Sequence, residues 1–347
     1  MRFHILFLLI AFPTLTFAQT TQPAETRGPV PDINHVLIIS VDGLRPDVLL
    51  RGNTPNMHQL FLHGAFTFWA KTTPQSITLP SHVSMLTGVT PEAHAILWNA
   101  DLPFAKPVYP SVPTLFELAK RAGLSTGMSA GKHKFDVFEK PGAIDWEFLA
   151  SDKSLVNADG SPAADADAQV AEHAVEIISS HKPSVMFVHF PDVDAWGHYS
   201  GWGSTEQLKA AAEADRCIGL LQDAESKAGL TDSTLDILTA DHGGAGRTHG
   251  PDDARSRTIP WILSGPHVRQ NFDLTLLQRN NDIQTYDTFA TACAVLGIHW
   301  PVSDPVIGRF IADAFDNQQL LLNTYRPSMS PTTDPTLVSE KPHALSR

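Results

Sequence analysis

Asp241, His242 and His249 bring one carboxylate and two imidazoles within nine positions of each other. They follow an apolar run at residues 235–240, and Gly243 and Gly244 come directly after the acid–imidazole pair. An apolar run of that length bounded by glycine reads as a buried strand. The carboxyl ends of such strands are where open α/β sheets hold their ligands. Mixed oxygen and nitrogen donors suit zinc, with manganese or iron as alternatives. A second set lies in PDVDAWGH at residues 191–198. Asp194 and His198 are four apart, so one helical turn puts them on one face. Asp192 is six from His198 and would need a loop, which favours Asp194. Asp42 stands at the end of a third apolar run, residues 35–40. One acid after a strand is unremarkable; three, with imidazoles close by, look like a metal cage. Ser76, Thr78 and Ser81 cluster near Pro80, where a helix can begin. A hydroxyl at a helix N-terminus can meet an anion and, if a metal coordinates it, attack phosphorus or sulfur. Residue type alone does not choose between Thr78 and Ser81.

The elements that must position these groups alternate along the chain. Strands are expected at residues 35–40, 66–70, 124–130, 184–190, 235–240 and 259–264. Helices are expected from Pro55, from Pro80 to a stop at Gly88, and over 112–122, 165–180, 204–228 and 282–296. Alternation of this kind predicts an α/β fold, a mainly parallel central sheet with helices on both faces. Three strand ends would then converge on one edge. No linker divides the chain, so a single catalytic domain is expected over residues 34–325. A polar leader at 19–33 precedes it, and the segment 326–347 has no periodicity and reads as a disordered tail.

Residues 1–18 carry Arg2, a short apolar core and the small-x-small end Thr16-Phe17-Ala18, which reads as a secretory signal peptide cleaved after Ala18. The core is too short to span a bilayer, so a periplasmic or secreted protein without a membrane span in its mature chain is expected. The formal charge of −12 gives no bulk attraction for a nucleic acid duplex. Cys217 and Cys293 have no cysteine neighbours in sequence, which argues against a cysteine metal site. Export would permit them to pair, and two buried thiols are the equal alternative.

VDGLRPD at residues 41–47, TLPSHVSMLTGVTPEAHAI at 78–96, DVDAWGH at 192–198 and TADHGG at 239–244 occur in this order. Together they resemble the type I phosphodiesterase/nucleotide pyrophosphatase family of the alkaline phosphatase superfamily, over about residues 35–310. The resemblance implies an alkaline phosphatase-like fold and two divalent ions, zinc before manganese. It assigns Thr78 as the nucleophile. One ion would be held by Asp194, His198 and His249, the other by Asp42, Thr78, Asp241 and His242. The implied substrate is a small-molecule phosphate ester, cleaved through phosphothreonine. Two departures bear on the ester. Ser81 stands three after the nucleophile, where the resemblance implies an asparagine that steadies a phosphate oxygen. Lys132 and Lys134 resemble the lysine-bearing stretch of phosphonoacetate hydrolases and some monoesterases. Both weaken the preference for a diester and leave a phosphomonoesterase or phosphonate hydrolase as the rival. A non-catalytic exported metal-binding protein is the rival from another class; an intact Thr78 argues against it.

Overall fold

In a computed structural model of the chain, the described residues are 28–100, 106–151, 157, 160–163, 165–277, 283–300 and 306–316. The expected signal peptide and the tail at 326–347 lie outside them. Among the described residues one sheet has eight strands. They are β1 (His35–Val41), β2 (Gly64–Lys71), β3 (Thr126–Ala130), β4 (Trp146–Leu149), β5 (Val185–Phe190), β6 (Thr234–Thr239), β7 (Thr258–Ser264) and β8 (Phe272–Asp273). Their spatial order is β4-β3-β5-β1-β6-β7-β2-β8.

The five strands from β4 to β6 are parallel. β7 runs antiparallel to both β6 and β2, so the sheet is mixed on one side. The central strands are apolar at successive positions, because both faces are covered: Ile38 and Ile39, which point to opposite faces, are each 0% exposed. Each such side chain contributes roughly 1.5–3 kcal/mol by leaving water. One group of helices comprises Pro46–Arg51, Pro55–Leu62, Ala166–His181 and Thr205–Ala228. A second comprises Thr78–Thr87, Pro91–His94, Leu115–Arg121 and Tyr286–Val295. None of the described helices is long and apolar enough to cross a membrane.

Several boundaries differ from the sequence reading, for identifiable reasons. The helix expected to open at Pro80 opens at Thr78. The first turn of a helix needs no N–H from any of its residues, so Pro80 is tolerated at the third position as well as the first. Gly88 closes that helix at φ 71°, and a Cβ there would lie 2.5 Å from Phe289. The helix expected over 112–122 starts at Leu115, behind a capping box in which Thr114 and Glu117 each accept the other's backbone N–H. The two cysteines are buried and unpaired.

Candidate active site

β5, β1 and β6 are neighbours in the sheet, so their carboxyl ends bring Asp194, Asp42 and Asp241 together. The turn after β1 passes very close to the helix that follows β5. Gly43 sits there at φ 72°, and a Cβ on it would lie 2.9 Å from the Cα of Asp194. The Asp192–Ser200 helix places Asp194 and His198 on one face, with His198 Nε2 3.3 Å from Asp194 Oδ1. His249 comes back on its loop, 3.8 Å from the same oxygen, and stacks on His242 with ring centroids 3.6 Å apart. Trp202 anchors the loops from behind by donating to the Gly43 carbonyl at 2.9 Å.

The hydrogen bonds sort the ligand-type atoms into tied and untied. Asp42 Oδ2 accepts from His189 Nε2 at 3.0 Å and from Lys132 Nζ at 2.6 Å. Asp194 Oδ2 accepts from the same ammonium at 2.7 Å. Asp241 Oδ1 accepts from the backbone N–H groups of Gly43 and His242. The opposite oxygens, Asp42 Oδ1, Asp194 Oδ1 and Asp241 Oδ2, are buried with no hydrogen-bond partner. The three imidazoles are tied at Nδ1, which donates to a backbone carbonyl: His242 to Gly243 at 2.8 Å, His249 to Ser76 at 2.7 Å and His198 to Arg247 at 3.0 Å. When neutral, each therefore presents the lone pair of Nε2 to the cavity, the tautomer a metal requires; Asp194 favours the protonated form of His198 in the absence of an ion. His242 Nε2 faces Asp42 Oδ1 at 3.3 Å and Asp241 Oδ2 at 3.2 Å. Lone pairs converging at that distance repel unless a proton or a cation lies among them.

The charge balance points the same way. Burial opposes ionisation of Asp42, but the neighbouring Lys132 cation and the bond from His189 hold its carboxyl well below the usual range. Burial and the charges of Asp42 and Asp194 push Asp241 well above it. Burial, with His249 beside it, holds His242 down to about 3, in the neutral ligand form. Two donor groups could each hold an ion, Asp194 with His198 and His249, and Asp42 with Asp194 and His242. The donor set fits a divalent cation.

Thr78 opens its helix directly beside this cage, its Oγ1 3.3 Å from His242 Nε2. His82, one turn on, donates Nδ1–H to the Thr78 carbonyl at 2.8 Å and accepts at Nε2 from Ser40 at 2.8 Å. The Thr78 backbone is thus pinned to β1. Asn99 accepts the Leu79 N–H at 2.9 Å, which sets a carboxamide one residue from Thr78. Nothing in the local sequence singles out Asn99, because it reaches the helix from a loop twenty positions away. His189, read from sequence as structural, is a fully buried partner of Asp42. Strand alternation could not show which way it points.

Ser81 does not share this position. It is 0% exposed, and its hydroxyl is taken up by Thr72 at 3.1 Å and Thr73 at 2.9 Å. The carboxamide near Thr78 comes from Asn99. Lys132 and Lys134 leave β3 at the start of a short 3-10 helix, His133–Phe138, and reach the site differently. Lys132 lies between two cage carboxylates, whereas Lys134 donates to the Asn99 carbonyl at 2.7 Å.

Comparison with known proteins agrees with this geometry. The model of the type I phosphodiesterase / nucleotide pyrophosphatase family matches residues 36–253. The chain is 26% identical over 234 residues to the mouse ectonucleotide pyrophosphatase/phosphodiesterase family member 1, covering 64% of this chain and 24% of that protein. It is 25% identical over 253 residues to the Xenopus laevis bis(5'-adenosyl)-triphosphatase, covering 70% of this chain and 53% of that one. The chain thus spans about half or less of the length of these relatives. Among solved structures, human ectonucleotide pyrophosphatase/phosphodiesterase 5 superposes with a TM-score of 0.65 at 16% identity, over 81% of this chain and all of that one. A phosphonate monoester hydrolase from Silicibacter pomeroyi superposes with a TM-score of 0.57 at 15% identity, over 80% of this chain and 76% of that one. These two likenesses speak to the alkaline phosphatase-like fold.

Proposed function

The chain belongs to the type I phosphodiesterase / nucleotide pyrophosphatase family, and we propose that it is a metal-dependent phosphoric ester hydrolase that acts through Thr78. The observation that carries this is the set of buried carboxylate oxygens without a hydrogen-bond partner, one on each of Asp42, Asp194 and Asp241, beside three imidazoles held at Nδ1, with the Thr78 hydroxyl against His242 Nε2. Asp194, His198 and His249 would hold one ion, and Asp42, Thr78, Asp241 and His242 the other. Two such ions, when bound, supply positive charge for the attacking, leaving and non-bridging oxygens of an in-line displacement. Zinc is the first choice for this mixture of imidazole and carboxylate donors, with manganese as the alternative.

In the proposed reaction the Thr78 oxygen bonds to phosphorus as the ester alcohol departs, giving a phosphothreonine. Water then displaces Thr78 from phosphorus and restores the hydroxyl. His82 and Ser40 keep the nucleophile's backbone fixed through both steps. Asn99 is suited to hold a phosphate oxygen, and the helix N-terminus at Thr78 favours an anion there. The signal peptide expected at residues 1–18 supports placing this chemistry outside the cytoplasm.

One observation favours a monoester over the diester that the family's name suggests. Lys134, bonded to the backbone carbonyl of Asn99, sets a further cation at that residue. A doubly charged monoester gains more from that cation than a singly charged diester. Turnover of the zinc-loaded protein on paired chromogenic phosphate mono- and diesters tests the reading. Measurable release from at least one is expected, and Lys134→Ala should reduce monoester turnover more than diester turnover. Full metal loading with no turnover of either ester would support the non-catalytic metal-binding alternative.

A further inference from the structure

Lys132 was expected from sequence to meet substrate, but its surroundings suggest another task. Its ammonium bonds Asp42 Oδ2 at 2.6 Å and Asp194 Oδ2 at 2.7 Å, and so ties two carboxylates of one donor group, of which Asp194 also belongs to the other. The remaining oxygens of both, Asp42 Oδ1 and Asp194 Oδ1, stay untied and face the imidazoles. Asp241 is restricted in the same way by the Gly43 and His242 N–H groups. Each of the three carboxylates is thereby left with one oxygen to give.

Resting on the two-metal reading above, we infer that Lys132 is a positioning residue that sets the metal preference of the cage. By occupying the second oxygens of Asp42 and Asp194, it prevents either carboxylate from gripping an ion with both. Single-oxygen carboxylates and imidazole nitrogens suit ions of low coordination number such as zinc. Ions that favour six or more oxygens rely on additional or two-oxygen carboxylate contacts. The charge of Lys132 repels any divalent ion to a similar degree, so it shifts affinity without discriminating. The discrimination comes from which oxygens the ammonium holds. The anchoring is firm because Lys132 is itself mostly buried, with its side chain 12% exposed, and enters from the rigid end of β3.

The test compares the affinities of the full-length wild-type protein and Lys132→Met for Zn2+ and for Mn2+, measured by competition with a chromogenic chelator. Circular dichroism of the metal-free proteins checks folding. The wild type should prefer zinc, and the ratio of zinc to manganese affinity should fall at least tenfold in Lys132→Met. Lys132→Arg, which keeps a cation with several donors, should recover most of the ratio. Should the methionine variant fail to fold, Lys132→Gln, which can hold only one of the two oxygens, should show a smaller fall of the same sign. An unchanged ratio in a folded variant, with only a higher KM for phosphate monoesters, would overturn the inference and return Lys132 to substrate contact. A wild type that binds neither ion would instead overturn the two-metal reading on which it rests.

Discussion

Each carboxylate and imidazole of the cluster beside Thr78 has one polar atom fixed by the surrounding fold, and on each carboxylate the other is buried without a partner. This division separates a metal cage from an ordinary buried polar cluster, which would pair both. It also yields sharp expectations for substitution. Thr78→Ala removes the attacking oxygen but leaves every carboxylate and imidazole in place. Metal content should persist while turnover falls by several orders of magnitude, on the order of 10⁶ where a hydrolase nucleophile is lost outright. Thr78→Ser keeps the hydroxyl and should retain measurable activity. Asn99→Ala should cost about 10²–10³ in turnover, the usual effect of losing one donor to a developing oxyanion. Ser81→Ala should be mild, because its hydroxyl bonds Thr72 and Thr73. Kinetics and elemental analysis on the four variants check the set. Near-normal turnover of Thr78→Ala beside an inactive Ser81→Ala would reverse the nucleophile assignment.

The elements act as rulers. The helical repeat after β5 delivers Asp194 and His198 to one face, and this was legible from a spacing of four in the sequence. The three acid-ended strands were legible too, because continuous apolar runs report burial on both faces. Strand direction was not: the 258–264 segment has the same apolar character whether it runs parallel or, as it does, antiparallel. The short edge strands β4 and β8 carry no alternation long enough to read. Away from the site, the buried acids Glu225, on the Thr205–Ala228 helix, and Asp236, on β6, act on each other. Burial pushes both acids above the ordinary carboxylate range, with the Asp236 charge adding to the effect on Glu225. The folded protein therefore holds a proton here that the unfolded chain releases above about pH 4. Stability from this pair is full below that pH and is lost as pH rises through the raised folded values. Glu225→Gln should thus gain in melting temperature relative to wild type as pH increases from 6 to 9. A constant difference across that range would mean the pair does not share a proton.

At the scale of the whole molecule, the site exists because a central parallel trio, β5-β1-β6, ends at one edge with its acids side by side. The motifs at residues 41–47, 192–198 and 239–244 are scattered in sequence, and only the sheet order makes them neighbours. A parallel sheet with these strand ends on one edge could be anticipated from the α/β alternation, but the strand order could not. The partners that tie the second atoms of the ligand side chains could not. Lys132, His189 and several backbone carbonyls meet the cage only through long-range packing, and no local pattern announces such meetings. The central claim is that this assembly passes the phosphoryl group through Thr78 rather than straight to water. The stereochemistry at phosphorus tests it most directly, using a chiral phosphorothioate ester hydrolysed in isotopically labelled water. Each in-line displacement inverts phosphorus, so two successive displacements predict net retention of configuration. Net inversion would mean a single direct attack by water and would contradict the account.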